Sequence, residues 1–116
     1  MKLNFSEGKV TLVLVRQDLR CGYKRLSIVA QAYLGIDLSL GKDWVVFISK
    51  RGHIAKIIHH DLKGSILVTR KLDTGCFQKL LCKIQGAAAK SLSKEELEKY
   101  LDGEQIEVKR TNLLHG

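Results

Sequence analysis

The sequence predicts an α+β domain: a small, mostly antiparallel sheet in the order β-α-β-β-β-α, with one long helix packed on it and a short C-terminal helix. Three observations carry that reading. A β-branched apolar run near the start gives way to helical spacing. Two short turn-forming segments, Lys50-Arg51-Gly52 and Leu62-Lys63-Gly64, join three strand-like runs. A helix start is then written at Ser93.

Val10 to Arg16 is short, apolar and β-branched, which suits a strand. Over Arg20 to Leu34 the apolar residues Leu19, Tyr23, Leu26, Ala30 and Tyr33 recur at intervals of three and four, and Gly35 supplies a stop. Trp44 to Ser49 and Ile54 to Asp61 are the arms of a hairpin, and Ser65 to Leu72 continues the meander until the turn Asp73-Thr74-Gly75. In the second arm Ile54, Lys56, Ile58 and His60 share one face and Ala55, Ile57, His59 and Asp61 the other, so both faces are mixed. Gly86 to Lys90 is small and weakly specified, as expected of a hinge. Ser93 with Glu96 forms a capping box, Leu92 and Leu97 a hydrophobic staple, Lys94 to Leu101 the helix, and Gly103 its end. Glu104 to Lys109 reads as a short final strand or an exposed extension.

The chain has 116 residues, 45% of them hydrophobic and 28% charged, which is one domain's worth and excludes both a multi-domain enzyme and a disordered polyelectrolyte. Residues 1–84 are expected to form a basic α+β domain, and residues 85–116 a linker with a C-terminal helical segment packed on the same domain. The apolar runs are too short to span a bilayer and no leader pattern opens the sequence, so a cytoplasmic protein without membrane contact is expected. Cys21, Cys76 and Cys82 form no paired motif and are expected as free thiols.

The net charge is +8, and it is unevenly placed: up to Lys90 there are 16 basic against 6 acidic residues, and beyond it 4 against 6. A compact body with such a surplus attracts polyanions. Lys50 and Arg51 sit at a hairpin tip, and the end of the third meander strand returns Arg70 and Lys71 towards them, while Lys63 lies at the opposite end. Arg16, Arg20, Lys24 and Arg25 form a second cluster at the strand-to-helix junction. Both clusters suit a phosphate backbone. Seven aromatic residues, mostly at apolar-patterned positions, are too few for a base-stacking platform.

Catalytic constellations are scarce. His59 and Asp61 converge on one strand face, but zinc needs three or four ligands, and His53, Cys76 or Cys82 complete a site only if the fold gathers them. His59 and His60 otherwise read as a partly exposed strand end. Neither glycine-rich phosphate pattern is present. Asp18, Asp37, Asp43, Asp61 and Asp73 each stand beside a turn or an element end, where aspartate serves structure. No catalytic residue, metal or cofactor is assigned on these grounds; the alternative is a small metal-dependent hydrolase or nuclease using His59, Asp61 and His53.

The residue order also resembles a known family. Asp18-Leu19-Arg20-Cys21-Gly22-Tyr23-Lys24-Arg25-Leu26, then Leu34-Gly35-Ile36-Asp37, then Trp44 to Phe47 with Lys50-Arg51-Gly52, Lys56-Ile57-Ile58 and Asp61, and finally Arg70-Lys71-Leu72-Asp73-Thr74-Gly75-Cys76-Phe77 are similar, in order, to blocks of the accessory protein encoded by the second reading frame (TnpB type) of the insertion sequence 66 family. Leu92 to Gly103 resembles that family's terminal segment. His59-His60, Cys76 and the residues after Phe77 depart from the pattern. The resemblance implies a non-enzymatic accessory protein of transposition working beside a separate transposase; taken with the basic clusters, its expected partners are duplex DNA at element ends and/or that transposase. The matched trio Asp18, Arg20 and Gly22 reads structurally as a helix start, with Asp18 near the cap and Gly22 allowing close packing. A docking role for the helix from Leu92 to Leu101 is the third reading, although its stripe Leu97, Tyr100, Leu101 suits its own domain.

Overall fold

The computed structural model describes residues 8–80, 89–107 and 113–114. Its strands are β1 (Lys9–Val13), β2 (Asp43–Ile48), β3 (Ile54–Asp61), β4 (Gly64–Lys71), β5 (Ala89–Leu92) and β6 (Leu113–Leu114), and its helices α1 (Tyr23–Leu34) and α2 (Lys94–Leu101). The sheet order is β4-β3-β2-β1-β5-β6. β1 and β2 run parallel, with Val10 opposite Trp44 and Leu12 opposite Val46. The other pairings are antiparallel. The α+β class and the largely antiparallel sheet agree with expectation.

The expected β-α-β-β-β-α order needs correction: β5 lies between the meander and α2, and β6 follows. Ala89-Lys90-Ser91-Leu92 has no β-branched residue and gains its strand geometry from pairing with Val10 to Val13. Two of the five residues of the expected hinge, Ala89 and Lys90, therefore belong to β5, and the other three, 86–88, lie outside the described residues. Residues 104–107 are irregular, and the rest of the expected final strand, 108–109, is outside the described residues. Among the thiols, Cys21 and Cys76 are free and position 82 is outside the described residues.

A crossover through a helix is what a parallel pair requires, and α1 provides it. Its start is later than the periodicity suggests. Gly22 is the extended N-cap, with φ −100° and ψ −170°, and no side chain caps the helix. Asp18 is thus not the cap, and a Cβ at Gly22 would meet nothing within 4 Å, so close packing does not explain that glycine. Gly35 ends α1 at φ +66°, where glycine escapes the Cβ clash.

Alternation along the strands sends side chains to two cores, one on each face of the sheet. On one face Leu26 and Ala30 of α1 pack with Leu19, Leu38, Val13, Val45, Phe47 and Ile58. On the other, Leu97, Tyr100 and Leu101 of α2 pack with Val10, Leu12, Trp44, Val46, Ile57 and Phe77. The sheet is therefore covered on both sides, the long helix on one face as expected and the short C-terminal helix on the other, a side the sequence did not specify. β3 serves both cores with its two alternating sets, as its mixed pattern indicated.

The α2 cap matches the sequence closely. Ser93 Oγ accepts from Glu96 N at 3.1 Å, and Glu96 Oε1 accepts from Ser93 N at 2.8 Å. Ser93→Ala is expected to lower stability by about 1 kcal/mol in urea denaturation, with α2 still in place.

Candidate nucleic-acid interface

Beyond β1 the chain runs beside the β2–β3 hairpin. Gln17 forms a parallel bridge with Ser49, its N–H donating to Ile48 O at 3.1 Å. Residues 18–22 are then fastened from below. Lys56 of β3, on the α1 face, reaches up so that Nζ donates to Leu19 O and Cys21 O, each at 2.6 Å. Sequence reasoning missed this role; the available signal was a lysine between Ile54 and Ile58 on a buried face.

On the outside of that loop Arg20 and Asp18 form a two-pronged ion pair: Nη2 to Oδ2 is 2.8 Å and Nε to Oδ1 is 3.1 Å, while Arg20 N also donates to Oδ1 at 2.9 Å. The Arg20 side-chain bonds, then its backbone bond, hold the Asp18 carboxyl down at about 2, with smaller help from the charges of Arg20 and Lys50. Lys50 at the hairpin tip thus lies within electrostatic reach of the loop. A depressed carboxyl contributes above its ordinary value of 3.8 and loses that contribution as pH falls through about 2. The Asp18 carboxyl carbon is therefore expected to titrate near 2 by NMR, and Arg20→Gln to return the midpoint towards 3.8.

The α2 side of the same end is a brace. Arg16 Nη2 donates to Phe77 O at 2.7 Å, and Phe77 N donates to Gly52 O at 2.7 Å. Gly52 has φ +80°, and a Cβ there would stand 2.6 Å from Arg16 Nη1. Phe77 stacks on Tyr100 with ring centroids 5.6 Å apart, and the Tyr100 hydroxyl donates to Gln78 O at 2.7 Å. Burial pushes the Tyr100 phenol up to about 12. Arg70 Nη2 lies 3.8 Å from Asp102 Oδ1 of the α2 cap.

The eight cations singled out from sequence therefore separate by face. Lys50, Arg51 and Lys71 are exposed at one end of the sheet, where Lys71 pairs with Ile54 and Leu72 N donates to His53 O at 2.8 Å. Arg20 joins them through the loop, and Lys24 and Arg25 are exposed on the first turn of α1. Arg16 and Arg70 are partly buried and turned to the α2 face. Sequence position alone put Arg70 beside Lys71; strand alternation sends them to opposite faces.

The residues of the metal alternative do not meet. His53 begins the hairpin return, with Nδ1 donating to Gly75 O at 2.9 Å and Cys76 Sγ standing 3.6 Å from the same nitrogen, whereas His59 and Asp61 are at the far end of β3. His59 is 5% exposed, a correction to its place in the expected partly exposed strand end, which partly buried His60 and exposed Asp61 do form. Its ring stacks on Trp44 at 3.9 Å between centroids, and Nδ1 donates to Asp43 O at 2.7 Å. Asp61 accepts from Lys63 N and Gly64 N at 2.8 and 3.0 Å, bonds that hold its carboxyl below the usual range. Among the described residues no three His, Cys, Asp or Glu side chains are grouped to hold a metal ion. Nor is any described helix long and apolar enough to cross a membrane.

The loop and hairpin that meet here are two of the blocks quoted for the family resemblance. The family described as IS66 Orf2 like protein matches residues 8–111, which is most of the chain. The chain belongs to the IS66 Orf2-like family. Within it, the Asp18 to Leu26 block of this IS66 Orf2-like chain is the Lys56-fastened loop and the first turn of α1, and the Arg70 to Phe77 block is the brace. A curated relative, "Uncharacterized protein y4hO" of Sinorhizobium fredii, is 33% identical over 69 residues. The match covers 60% of this chain and 59% of that protein, so the chain spans little more than half the length of the curated relative it matches. No solved structure matches. Family membership suggests an accessory role in insertion-sequence transposition.

Proposed function

We propose that this chain is a non-enzymatic accessory protein of transposition, acting in the cytoplasm, that binds the duplex ends of its element and works beside the separate transposase. The supporting observation is the meeting of two cation clusters that are far apart in sequence: the loop carrying Arg20 lies alongside the hairpin tip carrying Lys50 and Arg51, with Lys71 next to it. Clustered exposed cations on a rigid sheet end track phosphates without reading bases. Lys24 extends the surface onto α1. Arg16 and Arg70 are left out of it, because they are partly buried and turned to the α2 face, whereas Arg20 is exposed even in its pair with Asp18.

The test is fluorescence anisotropy with an element-end duplex over a salt series. The expected result is binding at low salt that weakens steeply as salt rises. Absence of binding to any duplex at low salt sinks the DNA reading; co-purification with the transposase encoded beside it then tests the other partner.

A further inference from the structure

Helix α1 turns Leu26 and Ala30 to the core and leaves an apolar side uncovered. Ile28 is 58% and Tyr33 72% exposed, and Ala32 is exposed as well. Ile28 with Ala32, and Val29 with Tyr33, form two rows at a spacing of four along the helix. Beside the second row a groove of about 320 Å³ separates Val29, Tyr33 and Leu34 from Val13, Val15 and Gln17. The helix also carries its charge the wrong way round. Lys24 and Arg25 occupy the first turn, where the dipole favours anions, and no basic residue stands in the last turn.

We infer that this face pairs with α1 of a second copy of the chain, antiparallel about a twofold axis. Antiparallel pairing resolves both features at once. It sets the large Ile28 over the small Ala32 of the second copy, and Tyr33 over the second copy's Val29 at the mouth of the groove. It also brings Arg25 to the C-terminal carbonyls of the opposite helix, which have no cation of their own. Each contact occurs twice, as an isologous interface demands. An unrelated apolar helix would cover the rows but would leave the reversed charge unexplained.

Sedimentation velocity on the full chain tests this. The wild type is expected to form a reversible species of twice the monomer mass at high micromolar concentration. Ile28→Glu alone and Ala32→Lys alone are each expected to weaken self-association at least tenfold, since each sets a charge against an apolar side chain. Mixing the two variants is expected to restore the dimer, because the introduced carboxylate then faces the introduced ammonium across the axis. Leu62→Glu, at a fully exposed turn on another edge, serves as the control and leaves the dimer intact. These positions are exposed, and circular dichroism verifies that each variant is folded. A wild type that stays monomeric, a dimer indifferent to Ile28→Glu, or variants that do not recombine each overturns the inference. A monomer that loses transposase capture on Ile28→Glu also overturns it and assigns the face to the transposase. None of these variants touches Arg20, Lys50, Arg51 or Lys71.

Discussion

Replacing Phe77 with alanine is expected to cost about 3–5 kcal/mol of folding stability. The ring is 1% exposed and stacks on Tyr100, so its removal leaves a cavity between the sheet and α2. The backbone of the same residue joins three segments: its carbonyl accepts from Arg16 and its N–H donates to Gly52 O. Loss of the ring loosens all three, and the charge-assisted Arg16 bond weakens with them. Urea denaturation followed by circular dichroism measures the effect. Phe77→Leu, which keeps most of the volume, is expected to recover more than half of the loss. A cost below about 1.5 kcal/mol for the alanine variant would show that the segment after β4 lies outside the cooperative core.

The second large effect concerns DNA. Changing Arg20, Lys50, Arg51 and Lys71 together to glutamine is expected to reduce duplex affinity roughly 10²–10³-fold at about 0.1 M salt and to flatten the log–log salt slope by about 3–4, near one unit for each phosphate no longer neutralised. All four side chains are exposed, so the fold is expected to persist. Arg16→Gln and Arg70→Gln form the contrast. They act on the brace, so they are expected to lower the unfolding midpoint while the salt slope holds. The reverse outcome, a slope moved by Arg16→Gln and indifferent to the fourfold change, would place the phosphates on the α2 face.

What was legible in the sequence is what local chemistry writes. The Ser93 capping box, the Gly35 stop and the bounds of β3 follow from adjacent residues, and the structure agrees with them. What was hidden depends on distant partners. β5 has no strand composition and exists through β1. The parallel β1–β2 pair was implied by a helix between two strands, but the meander pattern drew attention to neighbouring antiparallel pairings. His59 looks polar until Trp44 is known to stand opposite it in register. At the candidate interface the exposed positions at the hairpin tip were readable from turn chemistry. The division of Arg16 and Arg70 from the others was not, because their partners Phe77 and Asp102 lie 61 and 32 positions away.

The place of β1 in the sheet also bears on how the chain is made. The first strand in sequence is an inner strand in space, bordered by β2 and β5. Its outer edge, with Val10 to Val13 awaiting Leu92 to Ala89, has no partner until the ribosome has translated past residue 92. The α2 half of the core waits equally long for Leu97, Tyr100 and Leu101. During synthesis the nascent chain therefore carries a half-covered sheet with a bare backbone edge, the arrangement most open to wrong pairing with a neighbouring chain. The segment from Ala89 to Leu101 acts as the closure of that edge and of that half of the core.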